Sequence, residues 1–232
     1  MNKTLNLSEI VKQSMSDTGL IVKKNVLSEA YHADPKIYGQ VTEYLTQRSK
    51  DAHIELYEDS VKSLNQVSSE LDTVESSDAN SRHSDWRSLK LDETYNANSV
   101  WLHELFFANM FDPHSEVYLD SIAYLRLERD FGGFDKWQKG FISSALSAGE
   151  GWVVTGLNMF LKRYVTTIIN HHSDSTMVGL YPLIVLDMWS HTYSRDYLND
   201  KKSFIVSRMR EIDWNVVNER FNKAEKIIEA IK

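Results

Sequence analysis

The sequence predicts an α+β fold: a long antiparallel helical hairpin on the N-terminal side, then an α/β domain with a small three-stranded antiparallel sheet. Two helical stripes and a cluster of short strands predict it. Leu45, His53, Leu56, Tyr57, Val61, Leu64, Val67 and Leu71 fall mostly three or four residues apart, as on one face of a helix. Val100, His103, Phe106, Phe107 and Met110 repeat that spacing after a polar stretch. Three runs with strand character then follow at residues 152–160, 161–170 and 177–186, the middle one rich in β-branched side chains.

Length and composition bound the rest. A chain of 232 residues suits one large domain or two small ones sharing a core, and its 42% hydrophobic content supports that core. A formal net charge of −7 argues against a nucleic-acid or membrane-surface partner. No apolar run is long enough to span a bilayer, and Met1 to Leu7 lacks the apolar core of a secretory signal. Cysteine is absent, which fits a cytoplasmic location and limits any metal site to His, Asp, Glu and water.

In chain order, residues 1–44 read as an extension with weak helical spacing at Leu7, Ile10, Val11 and Met15, and a turn at Ala33-Asp34-Pro35. Residues 45–114 form the hairpin domain and residues 115–232 the α/β domain. The first helix is expected over residues 41–74, with His53 on its apolar stripe. Residues 75–92, rich in Ser, Asp and Arg, make the connecting loop. The second helix is expected over residues 97–110, with His103 buried, and Asp112-Pro113 closes it. Alone, each histidine reads as a core residue; on facing helices they form a candidate pair.

Asp130 to Phe134 turns into a helix whose inner face is Phe134, Trp137, Phe141 and Ala145, and Gly149-Glu150-Gly151 stops it. The polar turn His171 to Ser175 separates the second and third strands. Its His171-His172 pair is expected to be solvated surface. The buried run Leu183 to Leu186 ends on Asp187, four residues before His191. If a helix begins there, both side chains share one face within reach of one metal ion. Alone, Asp187 reads as a helix cap. A helix is expected over residues 203–212. Asp213 then caps a last helix with the stripe Val217, Phe221, Ala224, Ile228 and Ile231.

Several of these segments resemble the iron/manganese superoxide dismutase family. Leu186-Asp187-Met188-Trp189-Ser190-His191-Thr192-Tyr193, with Asp196-Tyr197 and Asn199 after it, is similar to the family's Asp-Val-Trp-Glu-His-Ala-Tyr signature. Val100-Trp101-Leu102-His103 with Phe106 and Phe107 resembles the segment around its second metal histidine. Phe131-Gly132-Gly133-Phe134 and Gly149-Glu150-Gly151-Trp152 resemble its Phe-Gly-Ser-Phe and Gly-Ser-Gly-Trp, and the run from Ile212 to Phe221 its C-terminal Asn-Trp-x-x-Val. The resemblance covers residues 45 to 225 and is strongest after residue 95.

It implies a mononuclear site for iron or manganese, one per chain, held by His53, His103, Asp187 and His191, with His32 as a rival to His53. It also implies disproportionation of superoxide to oxygen and hydrogen peroxide, with Tyr57 and Trp152 among the catalytic residues. Tyr57 lies one turn before the family's gateway-tyrosine position near Ser60 or Val61. Other positions depart from the family pattern. Ser99 and Ala148 stand where one of two positions supplies a glutamine, Ser190 stands for a glutamate that bridges the family's dimer, and Ser194 stands for a second tyrosine. These losses imply a homo-oligomer or larger assembly with a non-standard interface. They also keep open a catalytically impaired protein serving as a structural part of a virion or ribosome-like particle. A helical interaction protein with chance histidines is the third reading.

Overall fold

The computed structural model of the protein describes residues 33–231 except 111 and 113. Among the described residues seven helices and three strands run in the order α1 (Gln47–Leu71), α2 (Asp85–Ala108), α3 (Ile122–Phe131), α4 (Phe134–Ser147), β1 (Trp152–Asn158), β2 (Arg163–Ile169), β3 (Leu180–Asp187), α5 (Ser190–Tyr197), α6 (Lys201–Arg210) and α7 (Trp214–Ala230). This is the expected α+β class: α1 and α2 lie along each other as a hairpin, and the sheet has the antiparallel order β2-β1-β3.

Local chemistry sets the helix ends. The side chains of Thr46, Ser84, Ser121 and Asp200 each accept the N–H three residues ahead, and Asp213 accepts from Asn215 and Val216. Each cap satisfies a donor that the first turn leaves without a partner. These caps account for two differences from the sequence expectation, and sparse burial accounts for a third. The first helix begins at Gln47, not residue 41, because Thr46 caps it and the preceding backbone is engaged elsewhere. The second begins at Asp85, twelve residues before the expected start at 97, because Ser84 caps it and its first turns are exposed, leaving no apolar stripe to read. Helix α3 was not expected; it buries only Ala123 and Leu127 within its span, too few to reveal a period.

Residues 33–46 form no helix or strand and run across the hairpin toward α6. Asn65 exchanges two hydrogen bonds with the backbone of Ala33, and the Lys36 N–H donates to the Tyr57 hydroxyl at 2.9 Å. Farther on, Thr42 donates to Glu211 Oε2 at 2.6 Å, and the Arg208 guanidinium donates to Thr42 Oγ1 at 2.7 Å while pairing with Glu211. Residues 1–32 of the expected extension, including His32, lie outside the described residues.

The core is centred on β1, whose seven residues are all buried. Helix α2 packs on β3, bringing the hairpin against the sheet. Arg220 of α7 fixes that contact: its guanidinium donates to Leu105 O on α2, Leu183 O on β3 and Asn109 Oδ1, all at 2.7–2.8 Å. Those two carbonyls lie two residues after His103 and four before Asp187.

Gly151 supports the exit of β3 from the other side. Its carbonyl accepts the Met188 N–H at 2.8 Å, and its φ of +124° lies where L side chains rarely go. A Cβ there would sit 2.1 Å from Ile169 O and 2.6 Å from Asn170 O. Gly151→Ala is therefore expected to cost on the order of 3 kcal/mol in urea denaturation, through backbone strain and forced movement of β2. Stability equal to the parent would contradict this packing.

Candidate metal centre

Four elements each deliver one donor to a common point. His53 comes from the middle of α1, His103 from the last turns of α2, Asp187 from the end of β3, and His191 from the first turn of α5. The chain leaves β3 through Met188 and Trp189 before α5 starts, so Asp187 and His191 face the same way. One ligand atom from each residue lies within 4.8 Å of all the others. From Asp187 Oδ2, His53 Nε2 is 3.0 Å away, His103 Nε2 3.8 Å and His191 Nε2 3.9 Å.

Donors about 2.1 Å from one first-row ion lie roughly 3.0 Å apart at right angles and roughly 4.2 Å apart when opposed. The three separations fall inside that window. Proton positions agree. Ser99 O is 2.7 Å from His103 Nδ1, so that nitrogen carries the hydrogen and Nε2 presents a lone pair. His103 Nε2 and His191 Nε2 have no hydrogen-bond partner among the described residues. Asp187 Oδ1 accepts the Trp189 N–H at 2.8 Å, which leaves Oδ2 facing the imidazoles. Three imidazoles and a carboxylate without sulfur form a borderline-to-hard set. The residues present fit a redox-active first-row cation.

The surroundings are dry and aromatic. Trp152 is fully buried and stands edge-on to His103, ring centres 4.9 Å apart. Phe107 packs edge-on against His53 at 4.9 Å. Burial pushes the His53 and His103 imidazoles down to about 3 and raises the Asp187 carboxyl. Burial also lowers His191, which is the one member of the cluster that reaches solvent.

A family model described as iron/manganese superoxide dismutases, C-terminal domain, matches residues 122–220. The superoxide dismutase [Fe] of Aquifex pyrophilus is 35% identical over 182 residues, covering 78% of this chain and 84% of that protein. The superoxide dismutase [Fe] of Aquifex aeolicus has the same identity and coverage. The chain belongs to the iron/manganese superoxide dismutase family. The superoxide dismutase [Mn] 1 of Halobacterium salinarum is 29% identical over 138 residues, covering 60% of this chain and 68% of that protein. These relatives of the superoxide dismutase-family chain include both iron and manganese proteins.

The other residues singled out in the sequence are spread around the centre. Tyr57 is buried beside Phe107, but its hydroxyl donates to Glu104 Oε1 at 3.0 Å and accepts from the Lys36 N–H. Glu104 in turn pairs with the Lys36 ammonium. Val61, one of the two positions where the resemblance would place the gateway tyrosine, is buried and apolar. Ser99 lies 3.3 Å from His103 Nδ1 through its hydroxyl and 2.9 Å from the Ser60 hydroxyl. Ala148 is buried, and the Ser190 N–H donates to Glu150.

His172 is a correction to the sequence reading. His171 is exposed as expected, but His172 is only 4% exposed, and neither ring nitrogen has a partner among the described residues. Its ring stacks on Trp189 at 5.3 Å and lies 6.0 Å from His103 and 5.8 Å from Trp152. Continued strand alternation from buried Ile169 would have turned His171 inward instead. The turn after β2 reverses that phase, and no local sequence signal marks the reversal.

The acid response of the metal-free chain follows from these burials. A histidine with a depressed folded pKa stays neutral in the folded chain while the unfolded chain takes up its proton below about 6.5. Folding stability is therefore lost as pH falls from about 6.5 toward the folded values, about 3 for His53 and His103 and about 4 for His172. Asp187, raised by burial, acts oppositely: its contribution is present at low pH and disappears as pH rises through its folded value. His191 is lowered as well, and four imidazoles outweigh one carboxyl, so the urea midpoint is expected to fall between pH 7 and pH 5. A constant or rising midpoint would contradict the burial described.

Proposed function

We propose that the chain is a superoxide dismutase holding one iron or manganese ion on His53, His103, Asp187 and His191. The observation carrying the proposal is the convergence of these four donors, with two unpaired imidazole nitrogens aimed at one point, in a member of this family. Bound there, the metal supplies a one-electron couple that oxidises one superoxide to oxygen and reduces a second, with two protons, to hydrogen peroxide.

The chain's own groups hold, orient and dry that centre. Asp187 remains anionic beside a cation, with Oδ1 fixed by the Trp189 N–H. Ser99 O fixes the tautomer of His103, and Trp152 fixes its ring plane. Tyr57 is the second residue assigned an active-site role. Burial raises its hydroxyl to about 12, so it stays protonated, and Glu104 and the Lys36 backbone hold it in the wall of the centre. His172, whose two ring nitrogens have no partner among the described residues, lies beside His103 and Trp152, where an imidazole could relay protons toward a bound metal. No helix of the described residues is long and apolar enough to cross a membrane.

Replacement of the family's bridging glutamate by Ser190 supports a non-standard assembly. It also keeps a purely structural role as the second reading. One experiment separates the two. Elemental analysis of purified protein is expected to give about one iron or manganese per chain, with metal affinity at least about tenfold lower in His103→Ala. Superoxide decay followed on the metal-loaded parent is expected to be catalytic. Equal metal in parent and His103→Ala would contradict the site. Full metal occupancy without turnover would support the structural reading.

A further inference from the structure

Helix α1 is the least firmly held of the elements that carry donors. Arg220 ties α2 to β3, but α1 meets the rest of the fold chiefly through α2 and α5. One turn after His53, the Tyr57 hydroxyl donates to Glu104, the residue after His103. Lys36 grips both members of that pair: its N–H donates to the Tyr57 hydroxyl at 2.9 Å, and its ammonium pairs with Glu104. Asn65 holds Ala33 through two hydrogen bonds, and the Tyr38 ring lies 5.3 Å from Phe107, itself edge-on to His53. Residues 33–38 thus fasten α1 to α2 beside two donors.

The two halves of the segment before α1 are held very differently. Gln40, Thr42 and Leu45 are buried, Thr42 bonds to both Arg208 and Glu211, and Thr46 makes two hydrogen bonds to Asp196 of α5. Residues 34–37 are all exposed. An exposed ion pair contributes little, and a segment with few buried contacts opens without global unfolding. Between the halves, directly after Gly39, Gln40 has a φ of +43°, a left-handed backbone that residues other than glycine adopt at a cost. A firm anchor, a strained junction and a lightly held outer half make a hinged latch.

A metal must pass through this fold to reach its donors. The four ligand atoms face one another, and His53, His103 and Asp187 are buried, so a hydrated ion enters when the donors part. His103 and Asp187 lie on segments that Arg220 ties together, which leaves α1 to move.

We propose that residues 33–38 are a latch that gates metal entry and exit: release of Ala33 and Lys36, with a turn about Gly39–Gln40, lets α1 part from α2 and opens His53 to the ion. This inference rests on the metal reading of the centre.

The test uses the full chain stripped of metal. Uptake of manganese(II), and its release into excess EDTA, are timed in the parent, Lys36→Met and Asn65→Ala. A latch sets the rates and leaves their ratio alone. Uptake and release are both expected to quicken, about threefold in Lys36→Met and about tenfold in Asn65→Ala, which loses two hydrogen bonds, with affinity within twofold of the parent. Lys36 is exposed, so its variant is expected to fold, and thermal unfolding verifies this. Rates equal to the parent's in both variants place entry elsewhere, as at the partly exposed His191, and overturn the proposal. So does weaker binding through faster release alone, the mark of a tie that merely holds donors in place. Amide exchange on the metal-free chain adds a reading that needs no metal. Corrected for intrinsic rates, the Lys36 amide is expected to exchange at least about tenfold faster than that of Glu43, which donates to Glu211. Equal protection means that both halves open together, and the hinge is overturned. A parent that takes up no manganese(II) overturns the metal reading itself, a failure that the amide measurement separates from loss of the latch.

Discussion

The structure depends on one electrostatic conflict. A carboxylate with no solvent exposure, Asp187, faces three imidazoles that burial keeps neutral. Taking a carboxylate out of water costs several kcal/mol even after relaxation, and neutral imidazoles return little of it. A cation shared by all four donors reverses the balance: it is attracted to the carboxylate at close range and uses the lone pairs that otherwise face each other. Without one, burial favours the protonated form of Asp187. The arrangement is costly as a core and sound as a coordination shell.

The rest of the fold serves to keep these donors at their spacing. His53 and His103 sit on neighbouring helices that must be held against the sheet carrying Asp187. Arg220 does this by tying Leu105 O to Leu183 O, so the α2 and β3 segments that carry ligands move together. The backbone before α1 adds a second tie, from Asn65 at one end to the Arg208–Glu211 pair at the other. Neither tie touches the donors. Each limits how far an apolar wall can relax when a charge is placed beside it.

Much of this was legible in the sequence, for particular physical reasons. Asp187 and His191 stood out as an acid and an imidazole one helical turn apart at the exit of a buried strand, but alone Asp187 read as a helix cap, and the family resemblance supplied the ligand reading. His53 and His103 were legible as exceptions on apolar stripes. The start of α2 was not, because its first turns are polar on every side and only the Ser84 cap marks them. Helix α3 was missed because it buries only Ala123 and Leu127 within its span. His172 was missed for a third reason. A turn decides which of two adjacent histidines points inward, and turn geometry is set by contacts distant in sequence, here including the Asn98 side chain donating to His172 O at 2.5 Å.

The family relationship fits a chain that keeps the donors while its surroundings have changed. Ser99 and Ala148, where the resemblance implies a glutamine at one position or the other, and Ser190, where it implies a glutamate, are all small, and His172 packs beside His103. Everything said of these residues assumes that one cation sits among the four donors. The most direct measurement is anomalous X-ray scattering from a crystal of the metal-loaded protein, recorded on either side of the iron or manganese absorption edge. The account predicts a single strong peak bounded by His53 Nε2, His103 Nε2, Asp187 Oδ2 and His191 Nε2. A peak elsewhere, or none at that point in protein shown to carry metal, would contradict it.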